Sequence, residues 1–113
     1  DDVFRMPQSR HTEVRREDIE RVDDLEVIAE SEESGVSIVR SRSRREFFIT
    51  GHLEYAPDTL DTEYRRDLGK RDDVEVPKYY YREDNPDKGP LVTWCSHANL
   101  LFMNWVSWVL GSE

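Results

Sequence analysis

Between residues 96 and 110 the chain carries Leu100, Leu101, Phe102, Met103, Trp105, Val106, Trp108, Val109 and Leu110. At about 100° per residue these side chains cover most of a helix circumference. Only His97, Asn104 and Ser107 form a narrow polar stripe, and Ser96 is a suitable N-cap. A helix that is apolar nearly all round is expected to be buried nearly all round. At about 15 residues it falls short of the roughly 20 needed to span a bilayer. The 113-residue chain as a whole has the opposite character, with a net charge of −9 and 36% charged residues. A small acidic fragment has too little apolar surface to cover such a helix. The expectation is a further surface, supplied by upstream sequence or by another subunit.

The acidic balance argues against nucleic acid or an anionic membrane as the main partner, since both would repel it. The opening residues, Asp1-Asp2-Val3-Phe4-Arg5, do not read as a signal peptide. Cys95 is the only cysteine, so an internal disulfide is impossible and a reducing cytoplasm is expected.

The pattern predicts a short exposed helix within 13–24 and strands over 25–30, 36–40 and 46–50. Glu32 to Gly35 form a hairpin turn. Phe47-Phe48-Ile49 is a continuous apolar run, which suits a strand buried on both faces. The basic cluster Arg42-Ser43-Arg44-Arg45 reads as a solvated hairpin tip. A helix follows over 59–68, with Asp58 and Asp61 placed as in a capping box and Gly69 as its C′ residue. Residues 70–93 form a long irregular excursion containing Tyr79-Tyr80-Tyr81. Such excursions are often functional, and the tyrosines could equally pack the loop onto the body.

The sharpest chemical candidate is His52 with Glu54. A histidine past the carboxyl end of a buried strand is a common catalytic position. In extended chain, residues two apart project to one side. The Glu54 carboxylate could then accept the imidazole N–H and fix its tautomer. The pair alone leaves open a second reading, a histidine merely satisfied at a strand end. Cys95 sits at the start of the apolar helix and reads as a buried structural thiol rather than a nucleophile. Cys95 and His97 are too few for a metal site, and no metal is expected. Arg66 lies off the Leu60/Tyr64/Leu68 stripe. It could clamp a carboxylate or pair with Glu63 one turn earlier. Ser9 is unremarkable in isolation.

Several segments occur together in order. They are Met6-Pro7-Gln8-Ser9-Arg10, residues 25–33, Thr50-Gly51-His52-Leu53-Glu54-Tyr55, residues 58–67, Val76-Pro77-Lys78-Tyr79-Tyr80-Tyr81 and Ser96-His97-Ala98-Asn99-Leu100-Leu101-Phe102-Met103-Asn104-Trp105. This combination closely resembles the C-terminal part of the homoserine O-succinyltransferase/O-acetyltransferase family, across essentially all 113 residues. The resemblance implies an α/β fold similar to class I glutamine amidotransferases (flavodoxin-like). Residues 1–113 would be the C-terminal portion of a single catalytic domain.

The resemblance also implies acyl transfer from succinyl-CoA or acetyl-CoA to the hydroxyl of L-homoserine through a cysteine thioester, the first committed step of methionine biosynthesis. Acyl-CoA would be a co-substrate, with no other cofactor. His52 matches the general base and Glu54 its supporting carboxylate. Ser9 matches a position near the amino-acid substrate, and Arg66 the arginine that binds its carboxylate. The family cysteine belongs to the N-terminal half, and Cys95 does not match it. Leu53 stands where the family usually has proline. The implied partners are that N-terminal half and a second copy in a homodimer. The alternatives are a glutamine amidotransferase-like hydrolase, an acyltransferase for another hydroxy amino acid such as serine, and a non-catalytic docking fragment.

Overall fold

The computed structural model describes residues 3–10 and 12–111. It is a small α/β assembly, with helix α1 (Arg16–Glu20), strands β1 (Leu25–Ser31), β2 (Gly35–Ser41) and β3 (Phe47–Ile49), and helices α2 (Thr59–Leu68) and α3 (Cys95–Val109). The strands form an antiparallel sheet in the order β1-β2-β3.

The β1–β2 hairpin follows from its turn. Ser31 pairs with Gly35 across Glu32, Glu33 and Ser34. Gly35 has φ of +74°, the left-handed conformation that a three-residue hairpin loop needs at its end. The register shifts after Val27, so Ile28 is an extra residue on β1, and it lies exposed. Ile19 of α1 packs with buried Val36 and Val39 against Leu25 and Val27 to form one core.

The β3 run differs from the expectation. It is a short edge strand with Phe48 exposed and Phe47 and Ile49 half-buried, so it is not buried on both faces. The basic tip before it is ordered by Asp24, which accepts from Ser41 Oγ (2.6 Å) and the Ser43 amide (2.9 Å). Those two bonds hold the Asp24 carboxyl below its ordinary value against the opposing effect of burial. Arg45 reaches further. Its guanidinium donates to the carbonyls of Trp108 (2.9 Å) and Val109 (2.8 Å). A cation there meets the negative end of the α3 dipole.

A second core joins Leu53, Leu60, Tyr80, Tyr81, Trp94 and Ala98. It explains the tyrosine run. Tyr79 is exposed, whereas Tyr80 and Tyr81 are buried and lock α2 to the 70–93 excursion. The Asp58 side chain makes no capping bond. Instead the Tyr80 hydroxyl accepts from the Asp61 amide (3.1 Å) and donates to the Pro57 carbonyl (2.6 Å). An aromatic residue from the loop thus satisfies a helix N-terminal N–H that a side-chain cap would otherwise serve. Asp61 accepts from Tyr81 Oη (2.5 Å) and Arg65 Nε (2.9 Å) rather than closing a capping box. The Tyr81 bond, resisted by burial and aided by Arg65, holds Asp61 below its ordinary value. Gly69 ends α2 at φ −78°, in a right-handed rather than a left-handed conformation.

Helix α3 begins at Cys95, with Trp94 rather than Ser96 at the N-cap position. Ala98 and Leu101 seat it on the second core, and Trp108 packs edge-on to Phe47 at 5.1 Å. Its other face is uncovered: Leu100 is 62%, Met103 70% and Leu110 75% exposed. The expected burial is therefore not met by this chain's own surface. Among the described residues, no helix is long and apolar enough to cross a membrane.

Candidate active site

The site grows from the turn that follows β3. The Tyr55 amide donates to the His52 carbonyl (3.3 Å), closing a four-residue turn over His52, Leu53, Glu54 and Tyr55. Leu53 occupies the first central position and points into the second core, where it is buried. Turning one side chain inward places its two neighbours outside. His52 Nδ1 and Glu54 Oε1 are 2.9 Å apart. The pairing inferred from the sequence is present, but a turn makes it rather than extended chain. Proline is favoured at this turn position; leucine supplies a core anchor there instead.

A second segment braces the turn. The Pro7 carbonyl accepts from the His52 amide (2.8 Å), and Pro7 is buried. Gly51 is buried where a Cβ would fall 2.6 Å from Met6 Cγ and from Gln8 Nε2. The absent side chain lets the Met6–Gln8 side chains lie against the backbone just before His52. That approach carries Ser9 to the site, near enough to the Tyr55 phenol to favour its ionised form slightly.

The carboxylate partner defines the imidazole's protonation pattern. In the neutral imidazole a glutamate at Nδ1 selects the tautomer with its N–H there and its lone pair on Nε2. Burial opposes ionisation of Glu54. Its own backbone N–H and His52 outweigh that and hold the carboxyl below its ordinary value of 4.5. A depressed carboxyl stabilises the fold at pH above its ordinary value and loses that contribution as pH falls through the lower, folded one. The Glu54 charge is thus in place throughout the neutral range.

Tyr55 completes the arrangement, and sequence reasoning missed it. Its ring lies flat on the His52 imidazole, centroids 4.4 Å apart and planes 7° from parallel. Its hydroxyl donates to both carboxylate oxygens of Glu63, at 2.8 and 2.9 Å. Burial and Glu63 push the phenol up to about 12, so it stays a donor. Glu63 is therefore engaged by Tyr55 and not by Arg66. Arg66 lies one turn further along α2, 54% exposed, with Nε donating to Asp67 (3.1 Å). The structure thus brings Ser9, His52 and Glu54 together around Tyr55, and links them through Glu63 to the helix that carries Arg66. No spacing rule marks a contact between a turn residue and a helix residue eight positions on.

Cys95 is exposed rather than buried. Among the described residues no group of three or more histidine, cysteine, aspartate or glutamate side chains could hold a metal ion.

A family model described as homoserine O-succinyltransferase matches residues 1–113. A homoserine O-acetyltransferase of Bacteroides thetaiotaomicron is 58% identical over 113 residues, which is 100% of this chain and 37% of that protein. Homoserine O-acetyltransferases of Brevibacillus brevis and Acetivibrio thermocellus are 52% and 50% identical, again over 100% of this chain and 37% of theirs. The chain thus spans little more than a third of the length of these curated relatives.

Proposed function

The chain belongs to the homoserine O-succinyltransferase family, and from that premise we propose that it supplies the base of a homoserine O-acyltransferase active site. The observation that carries this reading is the 2.9 Å contact of His52 Nδ1 with Glu54, which leaves Nε2 as a proton acceptor. The fold proposed for the whole enzyme is the glutamine amidotransferase-like α/β fold that the family resemblance implies. The nucleophile is a cysteine in the part of the enzyme outside this chain.

In the first step Nε2 takes the cysteine proton and the thiolate attacks the carbonyl of acyl-CoA. The bond from the acyl carbon to the CoA sulfur breaks, and the proton on Nε2 passes to the departing CoA thiolate. In the second step Nε2 takes the homoserine hydroxyl proton as that oxygen attacks the enzyme thioester. The cysteine sulfur leaves, regains its proton, and O-acyl-homoserine departs. Glu54 stabilises the imidazolium that forms in each step. Arg66 grips the homoserine carboxylate, a pairing suited to a planar guanidinium fork, and Ser9 lies beside the same substrate. The relatives' names favour acetyl-CoA as donor and homoserine as acceptor. The rest of the enzyme covers the open face of α3, and the whole is a cytoplasmic homodimer of the methionine pathway.

The test is a steady-state assay of the full-length enzyme with acetyl-CoA or succinyl-CoA and L-homoserine. The reading predicts O-acyl-homoserine and free CoA. Arg66→Ala should raise the homoserine KM roughly ten- to a hundredfold, the worth of a hydrogen bond to a charged group, with the acyl-CoA KM unchanged. An unaltered homoserine KM would remove Arg66 from the acceptor site.

A further inference from the structure

We propose that Tyr55 is a positioning residue for His52: its stacked ring, tethered to α2 through Glu63, holds the imidazole with Nδ1 on Glu54 and Nε2 outward. This rests on the assignment of His52 as the base. Tyr55 is fixed from several directions at once. Its amide donates to the His52 carbonyl (3.3 Å), and its carbonyl accepts from Nε1 of buried Trp94 (3.2 Å). Its hydroxyl ends on Glu63, in the middle of α2. A ring so restrained is a fixed wall rather than a mobile neighbour.

His52 needs such a wall. Its side chain is 36% exposed and Glu54 is 62% exposed, so neither is gripped by surrounding core. A single contact at Nδ1 fixes where that nitrogen sits but leaves the ring free to swing about the contact. The face-on ring at 4.4 Å removes that freedom. It also sets an aromatic face against the imidazole that carries the proton in each transfer. The tether adds a second consequence. Glu63 precedes Arg66 by one helical turn, so the Tyr55–Glu63 bond sets the base against the helix that grips the acceptor.

The experiment uses the full-length enzyme with Tyr55→Leu and Tyr55→Phe, and reads kcat, both KM values and the His52 ring protons by NMR of carbon-13 histidine-labelled protein. The His52 resonances are assigned by their loss in His52→Ala. Tyr55→Leu should lower kcat roughly ten- to a hundredfold, the scale of a misplaced catalytic group. Both KM values should stay within about twofold, since ground-state binding is untouched. The upfield ring-current shift of the His52 protons should vanish in Tyr55→Leu and persist in Tyr55→Phe. Tyr55→Phe, which keeps the stacked ring and loses only the bond to Glu63, should give a kcat between those of Tyr55→Leu and the wild type. Wild-type kcat in Tyr55→Leu, Tyr55→Phe no better than Tyr55→Leu, or unshifted His52 protons in the wild type would overturn the proposal. If Tyr55→Leu does not fold, the ring-current shift in the wild type and in Tyr55→Phe decides. Undiminished turnover in His52→Ala would instead strike the assignment of the base, leaving the stacking result to stand by itself.

Discussion

Replacing His52 by alanine in the full-length enzyme should lower kcat for acyl transfer by roughly a hundred- to ten-thousandfold, the range that a positioned general base contributes. The effect is large because both halves of the proposed reaction pass a proton through Nε2. His52 has a carboxylate partner for that task, Glu54, 2.9 Å away at Nδ1. The loss should fall on kcat in both half-reactions, with the thermal melt unchanged, because His52 lies outside the buried cores. Rapid-quench measurement of thioester formation separates the steps. Near-normal formation and discharge of the acyl-enzyme in His52→Ala would contradict the role given to this residue.

Leu53→Ala should cost about 2–5 kcal/mol of stability, the range for truncating a buried leucine. The expected loss arises from where the side chain sits. Leu53 is buried among Leu60, Tyr80, Tyr81, Trp94 and Ala98, and it joins the turn that displays His52 and Glu54 to that core. Truncation should therefore reduce activity as well as stability, unlike a change at His52. Urea denaturation of the full-length enzyme, with kcat measured well below the midpoint, reads both. A stability change under about 1 kcal/mol, below the range for emptying a packed core site, would show that the turn is not anchored by this residue.

Features of the chain that depend on local chemistry were legible in its sequence. The β1–β2 hairpin follows from Gly35 after a polar turn, and α2 follows from a helical stripe headed by Leu60. The His52–Glu54 pair was legible in its partners but not in its cause. Extended backbone and a turn both bring residues two apart to one side, and only the burial of Leu53 distinguishes them. The capping of α2 was misjudged because Asp58 and Asp61 carry the right side chains, yet Tyr80 from a distant loop takes the amide first. Tyr55 and Glu63 were invisible for the same reason, since their contact depends on how a turn meets a helix. The apolar pattern of α3 anticipated burial on nearly every side, whereas Leu100, Met103 and Leu110 are open here. Hydrophobic periodicity records the surroundings of a whole protein, and this chain spans 37% of the length of its relatives.

The most direct test of the central claim is to trap the acyl-enzyme. The full-length protein is incubated with acetyl-CoA or succinyl-CoA without homoserine, its intact mass is measured, and the modified peptide is mapped. The account predicts one acyl group on a cysteine outside this chain, discharged when homoserine is added. An adduct on Cys95, or no adduct from either donor, would contradict it.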